Sequence, residues 1–218
     1  MVKHASQSGV TLVELIVVIA IFAMVSSVLM FNYSDFSTNV SLRGLSQEIA
    51  LSIRKAQTYA TSVHSLGGAP TAPGNYPAYG ISFSVQDPTG ASYEPSKKSF
   101  VLFADIPLTP NPLPNKKYDS DGDCGAMVEG SECLEEFNIT TSDKIVGFET
   151  DVTGQVKTGS VAITFRRPTP DAIICYSSAG PHDDCITTPI SYVKLILESA
   201  KGANRSVTVW NTGQISVE

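Results

Sequence analysis

Three aspartates occupy alternate positions in a short glycine-containing stretch, KYDSDGDCG, as Asp119, Asp121 and Asp123. Carboxylates at this spacing can arrange their oxygens around a hard cation such as Ca²⁺. The stretch departs from the EF-hand loop, because Cys124 occupies the glycine position and Gly130 stands where that loop has a bidentate glutamate. A different geometry would draw on Glu129, Glu132 or Glu135. The stretch therefore predicts either a calcium site or a solvated acidic turn.

A single carboxylate, Glu14, lies near the start of an apolar run from Val10 to Phe31. The run has the length of about 20 residues that a membrane-spanning helix needs. A charge inside such a helix is costly and is usually functional. Lys3, in the short polar leader, predicts that the N-terminus stays in the cytoplasm and that the rest of the chain lies outside it. Signal-peptide cleavage within Ala23–Ser27 is disfavoured, because the apolar run continues past that point.

The residue types needed for catalysis do not come together in the sequence. The three histidines, His4, His64 and His182, are far apart, and no nucleophile-elbow or phosphate-binding glycine motif is present. The net charge of −6 argues against a broad nucleic-acid-binding surface, which would be basic. The sequence therefore predicts a protein that is not an enzyme and requires no cofactor, with calcium as the single candidate ligand.

Four cysteines lie in the distal half of the chain as two close pairs, Cys124 with Cys133 and Cys175 with Cys185. Four cysteines allow three disulfide connectivities. Local closure is our prediction, because each pair brackets a turn-rich stretch and a bridge of this size stabilises a fold by about 2–3 kcal/mol. A zinc site is the alternative, supported only by His182 near Cys185, since a CxxC spacing is missing. Disulfides also fit a compartment outside the cytoplasm.

The apolar run is predicted to continue into a second helical half. No proline lies between Val10 and Ala69, and a continuous helix from about Val10 to Ser65 would be roughly 80 Å long. Asn32–Ser37 is its weakest stretch, where a bend is expected. Apolar residues then recur at intervals of three and four, which predicts one buried stripe along the helix. The stripe consists of Leu42, Leu45, Ile49, Ile53, Ala56 and Ala60.

Beyond a stretch rich in glycine and proline, Leu66–Pro77, the apolar pattern changes to the period of two that is typical of strands. Eight strands are predicted, with the sequences YGISFSV, SFVLFA, KIVGFE, SVAITF, AIICY, SYVKLILE, RSVTVW and QISV. The last two are expected to form a hairpin in which Gly213 adopts a left-handed conformation. Long loops are expected at Asp105–Ser131 and Ser177–Pro189, each holding one cysteine pair.

These elements predict an α+β protein with four parts. They are a leader (1–9), a transmembrane helix half (10–31), an amphipathic helix half (32–66) and a β-rich globular head (67–218). The long N-terminal helix is expected to pack on the head through its second half. A membrane-anchored stalk that carries a folded domain follows from this arrangement.

The end of the leader resembles the processing site of the type IV pilin and type II secretion pseudopilin superfamily. The residues that carry this resemblance are Gly9, Val10, Thr11, Leu12, Val13 and Glu14. Val10 departs from the commoner Phe or Met at the first mature position. The helix segment EIALSIRKAQTYATS, the strand YGISFSV and the ending RSVTVWNTGQISV are similar in their order to the H-type branch, the GspH/FimT-like minor pseudopilins.

This resemblance implies cleavage by a prepilin peptidase after Gly9, methylation of the Val10 amine and assembly of a filament through the N-terminal helix. The Glu14 carboxylate of one subunit would pair with the Val10 ammonium of its neighbour, so that the cost of burying a charge becomes a drive for docking. The implied head is sandwich-like, and calcium sites occur in such heads.

The implied location is the inner membrane, as a single-pass protein with its head outside the cytoplasm, followed by a periplasmic or extracellular filament. The implied partners are other pilin or pseudopilin subunits, prepilin peptidase, the inner-membrane assembly platform and membrane lipid. Nucleic acid is not expected as a partner. The alternative is a single-span membrane-anchored binding or receptor domain, including a DNA-uptake pilin, that is not a structural subunit of a filament. A receptor that never polymerises would need neither Gly9 nor Glu14.

Overall fold

A computed structural model of the 218-residue chain describes residues 9–62, 77–86, 94–106, 115–119, 124, 132–178, 185 and 188–218. Within these residues, one long helix precedes ten strands, which form two antiparallel sheets. The predicted α+β organisation, with an N-terminal helix and a β-rich head, is confirmed.

The helix α1 spans Leu12–Thr61 and contains 50 residues, which is about 75 Å at 1.5 Å per residue. It begins two residues after the predicted start at Val10 and runs without interruption through the Asn32–Ser37 stretch. It ends at Thr61, with Ser62 as the C-cap residue, whose N–H donates to the Thr58 carbonyl at 2.8 Å. The predicted end at Ser65 lies outside the described residues.

The second half of α1 buries the stripe that its spacing predicts. All six side chains of the stripe are 5 % exposed or less: Leu42, Leu45, Ile49, Ile53, Ala56 and Ala60. Side chains three and four residues apart lie on one face of a helix, so the stripe forms a continuous apolar edge. That edge inserts into the head.

The first sheet has the spatial order β3 (Cys133–Asn138), β2 (Ser99–Asp105), β1 (Ala78–Ser84), β6 (Ser160–Phe165) and β7 (Ala172–Ser177). The second sheet has the order β10 (Ile215–Val217), β9 (Asn204–Trp210), β8 (Tyr192–Glu198), β4 (Lys144–Thr150) and β5 (Gly154–Val156). Neighbouring strands are antiparallel throughout both sheets.

Helix α1 packs on both sheets at once. It contacts β1 and β6 of the first sheet and β8, β9 and β10 of the second. One hydrophobic core joins the helix stripe to both inner faces, and its strand residues include Phe83, Ile163, Phe148, Leu195 and Val207. The helix therefore closes the space between the two sheets and fixes its own direction relative to the head.

The eight predicted strands are present, and two further strands were not predicted. β3 was not predicted because its sequence, CLEEFN, places two glutamates side by side and breaks the alternation of polar and apolar residues. β5 has only three residues. The predicted hairpin between β9 and β10 is confirmed, since Gly213 has φ 81° and its N–H donates to the Trp210 carbonyl at 2.8 Å.

Candidate functional site

Glu14 lies in the first turn of α1, three residues after Thr11. Thr11 is the N-cap residue, and its hydroxyl accepts a hydrogen bond from the Glu14 N–H at 3.3 Å. Thr-x-x-Glu at a helix start is the capping-box pattern, and a carboxylate in this turn also interacts favourably with the helix dipole. The sequence analysis missed this local role, although a T-x-x-E pattern before an apolar run is its signal.

Gly9 and Val10 precede the helix and are open to their surroundings. The side chain of Val10 is 71 % exposed. Within the part of the chain that the structure describes, a Cβ atom placed on Gly9 would meet no atom within 4 Å. A side chain at position 9 would therefore meet open space among the described residues.

The first half of α1 exposes apolar side chains on all sides. The exposed fractions lie between 50 % and 80 % for Leu12, Val13, Leu15, Ile16, Val17, Val18, Ile19, Ile21, Phe22, Met24, Val25, Val28 and Met30. A continuous exposed apolar surface of this size marks an interaction site. Among the described residues, no helix was identified as both long and apolar enough to cross a membrane.

A shallow groove runs along the outer face of α1, opposite the buried stripe. Its lining consists of Gly44, Gln47, Glu48, Leu51, Ser52 and Lys55. Leu51 is 66 % exposed, and a Cβ on Gly44 would meet no described atom within 4 Å. Glycine inside a helix costs roughly 0.5–1 kcal/mol relative to alanine. Position 44 therefore faces open space among the described residues, and we call this position the Gly44 notch.

Both predicted disulfides are present, Cys124–Cys133 with Cα atoms 4.6 Å apart and Cys175–Cys185 with Cα atoms 5.2 Å apart. The expectation that each long loop holds both members of a pair was wrong. Cys133 begins β3 and Cys175 lies within β7, and these are the two edge strands of the first sheet. Each bridge therefore ties a loop residue to an edge strand. Edge strands carry unpaired backbone groups that can pair with strands of other chains.

The outer face of the first sheet carries a second small core beside the two disulfides. Phe103 packs there with Tyr118 at a ring-centroid distance of 5.7 Å, and Val101 and Ala162 extend the cluster. A Cβ on Gly80 would lie 2.7 Å from the Phe103 ring. Gly80 is therefore required by the close approach of this ring.

Two buried carboxylates hold the segment that covers this face. Asp105 and Glu132 are each 1 % exposed. Asp105 accepts hydrogen bonds from the N–H groups of Asn115 at 3.0 Å and Lys116 at 3.1 Å, and Glu132 accepts one from the Asp119 N–H at 2.9 Å. These bonds fasten residues 115–119 across the sheet.

Burial raises the pKa of the Glu132 carboxyl to about 8 and that of the Asp105 carboxyl to about 6. The backbone hydrogen bonds oppose the effect in both cases, and the neighbouring charge of Asp119 adds to it. Removal from water disfavours the ionised form of a carboxyl group more than these bonds favour it. The sequence analysis considered Glu132 only as a cation ligand, because burial of this kind depends on a covering segment that no local pattern reveals.

The predicted calcium site lies mostly outside the described residues. Asp121 and Asp123 are among the residues that the structure does not describe. The Asp119 carboxylate contacts the Asn115 amide and lies 3.5 Å from the Lys117 ammonium. Within the described part of the chain, no cluster of three or more acidic, histidine or cysteine side chains could hold a metal ion. Calcium binding stays a prediction.

A further buried carboxylate fixes the point at which α1 enters the head. The Asp143 Oδ2 atom accepts hydrogen bonds from the hydroxyl of Ser41 at 2.5 Å and that of Thr141 at 2.9 Å. Its Oδ1 atom is buried and has no hydrogen-bond partner among the described residues. A half-satisfied buried carboxylate is costly. The hydrogen bond to Asp143 holds Ser41, the last residue before the buried stripe, against the head.

A family model of the prokaryotic N-terminal methylation motif matches residues 4–30. The match includes Gly9, Val10 and Glu14, which the sequence analysis singled out. It supports a type IV pilin-like protein. A pilin-like protein of this kind is structural, assembles with other pilin subunits and is processed by a prepilin peptidase. Searches of curated proteins and of solved structures found no match to this chain.

Proposed function

We propose that this pilin-like protein is an H-type minor pilin or pseudopilin. The segment Val10–Phe31 holds it in the inner membrane until it is added to a type IV pilus or a type II secretion pseudopilus. The methylation motif at residues 4–30 carries this proposal. It stands at the start of a 50-residue helix whose first half exposes apolar side chains and whose second half buries one face in the head.

Processing creates the charge that assembly uses. Cleavage after Gly9 gives Val10 a free α-amine, which is mostly protonated near pH 7 because its reference pKa is about 8. In a stack of staggered helices, the Glu14 carboxylate of one subunit meets the Val10 ammonium of the next. In a medium of low dielectric an unpaired charge costs far more than a paired one, so this contact also sets the axial register.

The outer groove of α1 supplies a second contact for a neighbouring subunit. The Gly44 notch lets another helix backbone approach closely, and the exposed Leu51 side chain gains apolar contact when covered. The apolar first half of α1 lies in the membrane before assembly and among other helices afterwards. The same surface therefore serves both environments.

The first test is intact-mass spectrometry of the protein purified from its own membrane. The expected chain begins at Val10 and carries one methyl group. Gly9→Val is expected to retain the leader while the head folds normally, since a side chain at position 9 meets no described atom. A wild-type chain that keeps Met1–Gly9, or one that is cut within Ala23–Ser27, contradicts the proposal.

The second test separates filament assembly from helix capping. Glu14→Ala is expected to leave membrane content and head folding unchanged and to abolish recovery in sheared filaments. Thr11→Ala removes the capping hydroxyl and leaves the carboxylate, so it costs about 1 kcal/mol locally and is expected to assemble. Equal losses for the two variants would assign Glu14 to capping alone.

A further inference from the structure

Four segments of the chain meet at the end of the head where α1 enters it, namely residues 41–46, 94–99, 139–144 and 198–205. We call this end the base. Ser41 bonds to Asp143 there, and the Ile145 N–H donates to the Lys97 carbonyl at 2.9 Å, which links the two sheets. The sheet register brings the start of β4, the end of β8 and the start of β9 to the same place.

The base is basic, although the chain carries a net charge of −6. Its segments contain six cationic side chains, Arg43, Lys97, Lys98, Lys144, Lys201 and Arg205, against three carboxylates, Glu94, Asp143 and Glu198. Asp143 is fully buried, so its charge lies inside the head rather than on this surface. The Lys98 ammonium donates to the carbonyls of Thr141 at 2.6 Å and Asp143 at 2.7 Å, which are neutral acceptors. The Lys144 ammonium forms an ion pair with the Glu198 carboxylate at 3.1 Å.

The opposite end of the head has a smaller excess. It is identified by Gln57, near the end of α1, whose amide donates to the Pro170 carbonyl at 3.0 Å. Asp105 and Glu132 are buried there, as Asp143 is at the base. The other described charged residues at this end are four cations and three carboxylates, namely Lys116, Lys117, Arg166, Arg167, Asp119, Asp151 and Asp171. The larger excess of positive charge therefore lies at the base, which faces the apolar half of α1.

The length of α1 places the base close to the membrane surface. Ten residues separate Phe31 from Ser41, about 15 Å of helix. A headgroup layer takes up roughly 5–8 Å of that distance. The base then stands about 8 Å above the headgroups, which is close to one Debye length at physiological ionic strength. Tilting of the helix brings it nearer.

We propose that the base binds the anionic headgroups of phospholipids while the subunit waits in the membrane. This inference rests on the membrane anchoring given above as part of the proposed function. Lysines close to an anionic surface are attracted individually and in proportion to their number. The contact would hold the head upright against the bilayer and would be lost when the subunit enters a filament.

The test uses the full processed chain in vesicles of phosphatidylcholine alone or with about 30 % phosphatidylglycerol. A neutral acetylating reagent labels lysines, and mass spectrometry gives the labelling rate at each one. Lys97, Lys144 and Lys201 are expected to react about fivefold more slowly in the anionic vesicles at about 0.1 M salt. The difference is expected to vanish at about 0.5 M salt. Lys116 and Lys117, at the far end, serve as internal controls with unchanged rates.

A pair of matched variants completes the test. Lys97→Glu combined with Lys201→Glu is expected to abolish the lipid-dependent protection of Lys144, whereas Lys116→Glu combined with Lys117→Glu is expected to retain it. Equal rates in both kinds of vesicle overturn the inference, as does protection that depends on protein concentration, which would point to a second copy. Flotation of the vesicles measures membrane anchoring separately from lipid binding by the base. A chain that does not float with the vesicles contradicts the proposed function rather than this inference.

Discussion

The two sheets of the head have the same number of strands and the same antiparallel pairing, but they are covered differently. Every residue of β2 in the first sheet is buried, whereas β8 in the second sheet alternates between half-buried and buried positions. The first sheet faces α1 on one side and residues 115–119 with the two disulfides on the other. The second sheet faces α1 on one side and carries polar side chains such as Lys194 and Glu198 on the other.

The difference shows that residues 115–119 and the two disulfides act as a third layer on the first sheet. Both disulfides end on edge strands of the first sheet, and both buried carboxylates, Asp105 and Glu132, lie where its strands meet the covering segment. The second sheet needs none of these devices, because an antiparallel sheet is stable with one face in water. Substitutions on the outer faces of the two sheets should therefore differ sharply in their effect.

The largest difference is expected between Phe103→Ala and Ile196→Ala. Phe103 lies on the outer face of the first sheet and is fully buried, so its truncation should lower the free energy of unfolding by about 3–5 kcal/mol. Ile196 lies on the outer face of the second sheet and is half-buried, so its loss should cost roughly 1 kcal/mol. Urea denaturation of the full chain in detergent measures both. Equal losses would mean that residues 115–119 and the two disulfides contribute no packing to Phe103.

Removal of one disulfide is expected to have a smaller effect. Cys124→Ser combined with Cys133→Ser should lower the free energy of unfolding by about 2–3 kcal/mol, since the bridge closes a short loop. Cys175→Ser combined with Cys185→Ser should cost a similar amount, because its loop is nearly the same length. Hydrogen exchange provides the sharper readout. Amides of β2 and β6 should exchange faster in either variant, while those of β8 and β9 should not change.

The smallest effect is the change in stability over a single pH unit, and it belongs to the first sheet. The pKa of Glu132 is raised from 4.5 to about 8, so the folded protein keeps a proton that the unfolded chain has lost. The stabilisation is therefore complete below about pH 4 and declines as the pH rises towards 8, by about 1 kcal/mol per unit. Asp105 adds to the decline only up to about pH 6.

Glu132→Gln isolates this effect, because glutamine resembles the protonated acid. Relative to wild type, the stability of this variant should improve steadily between pH 5 and pH 8 in denaturation experiments. Asp105→Asn should show the same trend only below about pH 6. A stability difference between Glu132→Gln and wild type that is constant over this range would show that the carboxylate ionises as freely in the head as in water.

The contrast between the sheets could be read in part from the sequence. SFVLFAD is a continuous apolar run, which indicates a strand buried on both faces, while YVKLILE alternates. The helix stripe and the cysteine pairing also followed from spacing alone. These features are local, because the residues that define them lie within a few positions of one another.

The missed features depend on contacts between distant segments. β3 joins the sheet through its pairing with β2, and nothing in CLEEFN itself requires a strand. Asp143 is buried because α1 brings Ser41 to it across about 100 residues of chain. At the N-terminus, by contrast, the T-x-x-E pattern is local and predicts Thr11 as the N-cap residue. Glu14 was considered only as a charge within a membrane segment, so the pattern was missed.

The position of α1 between the two sheets also determines when the head can be completed during synthesis. Ile53 packs in one core with Val207, and about 150 residues separate them, which take roughly 10–30 s to synthesise. The second-sheet strands that contact α1 are β8, β9 and β10, the last three to be synthesised. The second-sheet side of the helix stripe therefore stays uncovered until almost the whole chain has been made.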